Sequence, residues 1–210
     1  MPIDLRTLLD PASTAIVTIE CQRGVVGTGG ALGALAAEVR DSGLLPRIGR
    51  VLAAARSAKI PVIHGTVVRR TDGGGSTVNC RMLAAARKAG GPGLIAGSEP
   101  AMLATELGPA ESDYLVARHH GVSVFHDSEL DSILRSLGTR TVVLLGVSVN
   151  IAVTGTTIEA VNRGYQVVVP NDGVAGVPRE YAEAVIENTL RNLATVPNCD
   201  ELVAAFAGRT

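Results

Sequence analysis

The sequence is poor in aromatic residues: among its 210 residues are 3 Tyr, 2 Phe and no Trp. A site that stacks nucleic-acid bases or cages a cation on aromatic rings would therefore have almost no side chains to build on. The chain also lacks an excess of either charge, since 19 basic and 20 acidic residues give a formal net charge of -1. A polyanion would meet no attractive field, so nucleic acid is not expected as a partner.

Cysteines and long apolar runs are scarce as well. Cys21, Cys80 and Cys199 are far apart, include no Cys-x-x-Cys pair and cannot all pair within one chain, which is typical of a reducing compartment. The best apolar run, Val142 to Val147, has the length of a strand and falls far short of the roughly 20 residues that span a bilayer. The charged N-terminal residues do not resemble a signal peptide. We therefore expect a cytoplasmic protein with no membrane partner.

What the sequence does have is apolar residues, which make up 46% of the chain against 19% charged. That is enough for a core, and the length predicts a single domain over residues 1–210. Strand-like runs alternate with segments of helical period, a pattern that predicts an α/β fold with a parallel sheet and right-handed crossovers. The predicted strands are Thr14 to Ile19, Val62 to Val67, Tyr114 to Ala117, Thr141 to Leu145 and Gln166 to Val169, and the predicted helices are Leu44 to Ala58, Asn79 to Lys88, Ser128 to Leu137, Asn150 to Arg163 and Pro178 to Asn192.

Two glycine-rich segments, Gly24 to Gly33 and Gly73 to Gly75, follow the first and second predicted strands. Open α/β sheets bind ligands beyond the carboxyl ends of their strands, so both segments are candidates for a ligand site. The residues from Arg69 to Ser112, here called the variable segment, are too few for a core of their own. We interpret them as a lid over the site or as an oligomer contact.

Glu20 and Gln22 stand just beyond the first strand. A carboxylate at the end of a buried strand is partly desolvated and can act as a general acid or base, although a solvated loop residue is the simpler interpretation. A second candidate is the connection from Gly146 to Asn150, where the N–H groups of a helix's first turn face the strand ends and could hold a carboxylate or an oxyanion. The alternative is an ordinary strand-to-helix connection.

Three stretches of the chain resemble the isochorismatase-like hydrolases, also called cysteine hydrolases: AIVTIECQRGVVG, VFHDSELDSILRSLGTRTVVLLGVSVNIAVTGTTIEAVNRGYQVVVPNDGVAG and ENTLRNLATV. The resemblance extends from about Thr14 to Val203 and is weakest in the variable segment. It implies a three-layer α/β/α Rossmann-like fold with a six-stranded parallel sheet, in a homo-oligomer, either a dimer or a tetramer. In the amidase branch of the family, an Asp–Lys–Cys triad hydrolyses small amides through a thioester.

The resemblance places this triad on altered residues. The family Asp corresponds to Glu20, and the Cys to Ala152. Counting back from Ser123-Val124-Phe125 puts the Lys at His119, whereas a shift of one residue would put it at Arg118. Because alanine cannot form a thioester, the chain is identified as a divergent member without the catalytic cysteine.

The isochorismatase branch of the family also lacks the cysteine and cleaves a vinyl ether by acid chemistry. We therefore hypothesise a hydrolase that acts on a small carboxylate-bearing metabolite, of vinyl ether or amide type, by acid/base chemistry of Glu20 with help from His119. One alternative is a catalytically inactive member that binds a small anion or serves as an oligomeric partner. Another is an amidase that uses Cys80 as a displaced nucleophile.

Further site residues are expected around this triad. Arg69 and Arg70 are candidate anion contacts, with a solvated basic pair as the alternative. The resemblance implies a cis peptide between Val147 and Ser148. The expected substrate-binding residues are Gln22, Ser123, Val147, Ser148, Asn150 and Ile151.

Neither a metal nor a cofactor is expected. A metal-binding motif after the second strand, as in some relatives, would need more than the available His64 and Asp72. His64 lies within an apolar strand pattern and is interpreted as a core histidine with satisfied ring nitrogens.

Overall fold

The sheet is parallel throughout, in a computed structural model that describes residues 4–27, 32–88 and 93–208. Its strands are β1 (Thr14–Ile19), β2 (Val62–Val67), β3 (Tyr114–Arg118), β4 (Thr141–Val147), β5 (Gln166–Val168) and β6 (Val174–Ala175). The spatial order is β3-β2-β1-β4-β5, and β6 pairs with β4. From β1 the chain adds β2 and β3 on one side of the sheet, and it then adds β4 and β5 on the other side of β1. The strand order therefore reverses between β1 and β4, and sheets of this kind bind ligands at such a reversal.

Helices cover both faces of the sheet. They are α1 (Leu5–Leu8), α2 (Arg23–Val26), α3 (Gly33–Asp41), α4 (Leu44–Ser57), α5 (Arg81–Lys88), α6 (Leu130–Ser136), α7 (Thr154–Asn162), α8 (Arg179–Asn188) and α9 (Cys199–Phe206), and a π-helical turn at Val149–Val153 leads into α7. None of the helices in the described residues is long and apolar enough to cross a membrane.

Successive side chains along each strand point to opposite faces of the sheet, and this divides the hydrophobic core into two parts. In β1, Ile16 packs with α4 and α9 on one face, whereas Ala15, Val17 and Ile19 pack with α6, α7 and α8 on the other. This period of two is the reason that a short, continuously apolar strand can support helices on both sides. The predicted three-layer α/β/α fold with a six-stranded parallel sheet is confirmed.

The predicted strands and helices are all found, and their ends differ from the predicted ones by at most four residues. Sequence reasoning missed the two-residue strand β6, the one-turn helices α1 and α2, and two longer helices: α3, whose start at Gly33 lies inside the first glycine-rich segment, and the terminal helix α9. The pattern of α3 was hidden by the glycines before it, although its Leu35, Ala36 and Val39 form a buried stripe. Residues 28–31 of that glycine-rich segment and 89–92 of the variable segment lie outside the described residues.

His64 on β2 is buried and has a partner at each ring nitrogen. Its Nδ1 is 2.7 Å from the Thr18 hydroxyl and its Nε2 is 3.2 Å from the Asp113 carboxylate, which also binds Arg56. These contacts suit a neutral imidazole that accepts from Thr18 and donates to Asp113. In the part of the chain that the structure describes, no group of three or more His, Cys, Asp or Glu side chains could hold a metal ion.

This buried histidine predicts a pH-dependent stability. Burial lowers the pKa of His64 below its ordinary 6.5, against the opposing effect of Asp113. The unfolded chain therefore takes up a proton that the folded chain refuses, and the free energy of unfolding should fall as pH drops below about 6.5, by up to about 1.4 kcal/mol per pH unit. Urea unfolding of the wild type and His64→Gln at pH 7.5 and 5.5 measures the effect. The pH dependence should shrink in His64→Gln and persist in a control, His126→Gln, which changes an exposed histidine.

Candidate active site

A cavity of about 250 Å³ lies at the carboxyl ends of the central strands, and we call it the strand-end cavity. Its floor comes from residues that end or follow four strands: Glu20 after β1, Val67 in β2, Arg118 in β3 and Ser148 after β4. Each of these residues is placed by a strand whose register in the sheet is fixed by backbone pairing, so the strand ends determine the shape of the floor. This is where the sequence predicted a ligand site.

Glu20 turns away from the direction of β1. Its backbone is left-handed, with φ of 52°, and its N–H donates to the Gly65 carbonyl at 2.9 Å. A left-handed backbone is unfavourable for a residue with a Cβ and is often found at functional sites. The turn directs the carboxylate to β3, where Oε1 accepts a hydrogen bond from Nη2 of Arg118. The Glu20 side chain is 20% exposed, so it is accessible from the cavity but mostly desolvated.

Arg118 is the partner of Glu20, although the sequence favoured His119. The Arg118 side chain is 1% exposed, and its Nε is 3.5 Å from the Gly121 carbonyl. His119 also lines the cavity, but its ring is exposed and its Nδ1 lies 3.1 Å from the Val68 carbonyl. The reason is strand geometry, because neighbouring side chains at the end of β3 point to opposite sides and only one of the two can meet Glu20. The one-residue shift that places Arg118 at the lysine position agrees with this pairing.

The connection after β4 forms the opposite wall. Gly146 has φ of 116°, and a Cβ there would lie 2.3 Å from the Ile19 carbonyl oxygen, so the close approach of β4 to β1 requires glycine. One residue further along, the peptide bond between Val147 and Ser148 is cis, as the resemblance implies.

Ala152, which the resemblance places at the position of the family cysteine, lines the cavity together with Ser148 and Ile151. The Ser148 carbonyl accepts the N–H groups of Ile151 and Val153, at 3.2 and 3.1 Å, so these two donors are used within the turn. An oxyanion could therefore rely only on other donors, such as the guanidinium of Arg118 across the cavity.

Two predicted substrate contacts are structural instead. Gln22 is fully buried, and its amide donates to the carbonyls of Val67 and Ala101, both at 2.9 Å, while accepting the Val67 N–H at 2.8 Å. It thus ties β2 to the variable segment. Val147 is fully buried in the core. Neither contributes to the wall of the strand-end cavity.

Ser123 and Asn150 also lie outside the cavity wall. Ser123 is buried and its hydroxyl accepts the Phe125 N–H at 3.2 Å, so it fixes the loop after β3. Asn150 donates to the Val177 carbonyl at 3.3 Å and so braces the π-helical turn. Of the six expected substrate contacts, Ser148 and Ile151 are the two that line the cavity.

Sequence reasoning missed the apolar part of the wall. Leu32 and Leu35 beside and within α3, and Met82 and Leu83 in α5, all line the cavity. The helical period of α5 was recognised, but periodicity alone could not show which of its sides faces a ligand. The variable segment thereby contributes directly to the site.

The arginine pair after β2 separates into two roles. Arg69 lines the cavity, whereas Arg70 is exposed and forms an ion pair with Asp72 at 2.7 Å. Arg69 therefore remains a candidate anion contact, whereas Arg70 belongs to a solvated ion pair at the surface.

No thiol lines the strand-end cavity within the described ranges. Cys21 is fully buried on the far side of β1, where burial and, secondarily, Glu20 raise the pKa of its thiol to about 12. Burial also raises the pKa of Cys199. Cys80 is exposed and lies outside the cavity wall. A thiolate nucleophile is therefore unavailable at the site.

The chain belongs to the isochorismatase family, since an isochorismatase domain matches residues 14–201. It is 30% identical over 211 residues to the ureidoacrylate amidohydrolase RutB of Methylobacterium radiotolerans, a match that covers 94% of this chain and 80% of that protein. It is 29% identical over 153 residues to the secreted isochorismatase effector Isc1 of Verticillium dahliae, covering 72% of this chain and 70% of the relative.

Solved structures share the fold. A cysteine hydrolase from Pseudomonas syringae pv. phaseolicola 1448A superposes with a TM-score of 0.80 at 22% identity, over 96% of this chain and 95% of the other. N-carbamoylsarcosine amidase from Thermoplasma acidophilum gives a TM-score of 0.69 at 23% identity, over 90% and 97% of the two chains. The relatives with established names in these comparisons are hydrolases, which supports a hydrolase here.

Proposed function

We propose that this protein hydrolyses a small carboxylate-bearing metabolite, of amide or vinyl ether type, with Glu20 as the acid/base group and no thioester intermediate. The proposal rests chiefly on one observation: Glu20 is held at the cavity by a buried arginine, and Ala152, the residue that the resemblance aligns with the family cysteine, lines the opposite wall. A desolvated, oriented carboxylate is suited to proton transfer, and the small Ala152 side chain leaves room for substrate or water.

The ion pair with Arg118 favours one of the two roles considered for Glu20. Oε1 of Glu20 accepts a hydrogen bond from the Arg118 guanidinium, and a group held as an acceptor is placed to take a proton from water rather than to donate one. Glu20 would then act as a base that activates water, which suits amide hydrolysis better than protonation of an enol ether. The names of two similar proteins, ureidoacrylate amidohydrolase and N-carbamoylsarcosine amidase, point in the same direction.

In the proposed reaction, water bound beside Glu20 gives a proton to the carboxylate, and its oxygen attacks the carbonyl carbon of the substrate. The C=O bond opens to an oxyanion, whose charge the combined positive field of the three wall arginines stabilises. The oxyanion then re-forms the carbonyl as the C–N bond breaks, and Glu20 passes its proton to the leaving nitrogen. The products are a carboxylic acid and an amine, and no bond to the protein is made.

The variable segment would act as the cover of this site. Met82, Leu83 and Leu94 bring three of its apolar side chains to the cavity. Such a cover would keep bulk water from the reacting groups, which strengthens electrostatic stabilisation inside the site.

The activity is tested on a panel of small amide, ureido and vinyl ether carboxylates, with product release followed by mass spectrometry. We expect turnover of at least one amide-type or ureido-type compound. Absence of turnover across the panel, with a folded protein, would favour the inactive alternative.

The thiols should be irrelevant to this turnover. We expect N-ethylmaleimide to label Cys80 alone in the native protein, because Cys21 and Cys199 are buried and their thiol pKa values are raised. Labelling is counted by mass spectrometry, with three adducts expected after denaturation. The labelled enzyme and Cys80→Ser should both keep the wild-type rate. A loss of activity in both would instead support Cys80 as the nucleophile.

A further inference from the structure

We infer that the ligand of the strand-end cavity is an amphipathic carboxylate, with its anionic end at Arg118, Arg69 and Arg87 and an aliphatic body against the apolar wall. The inference rests on the proposed function, because it names the substrate class of the same site. It goes further in assigning separate parts of the ligand to separate parts of the wall.

The first support is an unsatisfied donor. Nη1 of Arg118 is buried and has no hydrogen-bond partner among the described residues, while Nη2 binds Glu20 and Nε approaches Gly121. A buried charged donor without an acceptor is unfavourable, so native proteins rarely leave one unsatisfied. Because Arg118 forms part of the cavity wall, a ligand bound there lies beside this guanidinium, and a carboxylate matches its charge and its hydrogen-bond donors.

The second support is the charge balance of the wall. Three arginines line the cavity, whereas Glu20 is the one carboxylate among the described lining residues, and Arg118 already neutralises it. Arg69 and Arg87 form no ion pair within the described ranges, in contrast to Arg70, which binds Asp72. Two cations without counter-charges at one cavity favour an anionic ligand.

The third support is apolar surface left open to solvent at the same place. Five large apolar side chains of the wall are each between 36% and 45% exposed: Leu32, Val78, Met82, Val122 and Ile151. Exposed apolar residues that cluster around a cavity mark a binding surface, whereas scattered ones do not. No Phe or Tyr side chain contributes to the described wall, so its apolar contacts are aliphatic.

Titration calorimetry with straight-chain carboxylates tests the inference, using acetate, butanoate and hexanoate, and hexanamide as the neutral match for hexanoate. We expect the Kd to fall by about fourfold for each added methylene that the wall buries. Hexanoate should bind at least tenfold tighter than hexanamide. Equal affinity for the acid and the amide, or no dependence on chain length, would overturn the inference.

Matched variants assign each part of the ligand. Arg69→Gln should reduce the preference for hexanoate over hexanamide severalfold, and Arg70→Gln, its neighbour outside the cavity, should not. Met82→Ser should flatten the dependence of the Kd on chain length. Met102→Ser, which alters a methionine that is 50% exposed and outside the wall, should leave that dependence unchanged.

Arg118→Lys keeps the positive charge but loses Nη1, and it should weaken hexanoate binding. Circular dichroism checks that this variant is folded. Equal effects within either matched pair would contradict the assignment.

Glu20→Gln separates this inference from the proposed function. The variant should bind hexanoate as tightly as the wild type or more tightly, because Arg118 loses a competing carboxylate, and yet it should lose turnover. A wild-type enzyme that turns over a panel substrate, with turnover lost in Glu20→Gln, but that does not prefer hexanoate to hexanamide would overturn the inference alone. Retained selectivity with no turnover in the wild type would overturn the proposed function alone.

Discussion

Glu20→Gln is expected to lower kcat by about 10²–10⁴-fold, the range that a positioned general acid or base contributes. Glutamine keeps the shape of the side chain and can still meet Arg118, but it cannot take a proton from water. The effect should fall on kcat rather than on KM, because the substrate contacts inferred at the arginines and the apolar wall remain. Steady-state kinetics with the best substrate of the panel measure both constants.

A matched control is Glu111→Gln, which changes an exposed carboxylate of the variable segment that is not part of the cavity wall. It should leave kcat and KM unchanged. If Glu20→Gln retained full activity while the protein turned over a substrate, Glu20 would not be the acid/base group.

The second large effect concerns the Glu20–Arg118 pair. Arg118→Gln should lower the free energy of unfolding by about 3 kcal/mol, because it removes one member of a mostly buried ion pair and leaves the other without its counter-charge. Urea denaturation, extrapolated linearly to water, gives this quantity for each variant. Arg70→Gln serves as control, since it breaks an exposed pair and should leave the stability unchanged.

The double variant Glu20→Gln/Arg118→Gln shows whether the pair acts as a unit. Its loss of stability should be smaller than the sum of the two single losses, because no unpaired charge remains. Strict additivity would mean that the two side chains do not interact in solution, and the description of the cavity floor would be wrong.

Most of the fold was predictable because it depends on local hydrophobic periodicity, which can be read from the sequence alone. The apolar β-branched run of β1 and the helical period of α4 are local signals, and their alternation leads to a parallel sheet. α3 and α9 were missed for different reasons. Glycines obscure the start of α3, and α9 follows a proline-containing stretch after the last predicted helix, although the capping box of Asn198 and Glu201 was a usable signal.

The candidate site was predictable only in part. The position of Glu20 follows from the end of a strand, and that of Ala152 from the resemblance. The choice between Arg118 and His119 depends on which of two adjacent side chains meets Glu20, and a slip of one residue reverses that choice. Gln22 shows the same limit, because a polar residue beside a site can equally well satisfy buried backbone groups, as it does between β2 and Ala101.

The central claim is that water, activated by Glu20, attacks the substrate directly. Single-turnover hydrolysis in ¹⁸O-labelled water, with excess enzyme and the amide-type substrate of the panel, tests it by mass spectrometry of the product and of the peptide that contains Glu20. We predict one ¹⁸O atom in the product carboxylate and none in the protein. Label in the Glu20 carboxylate, or a product without label after the first turnover, would show a covalent acyl intermediate and contradict the account.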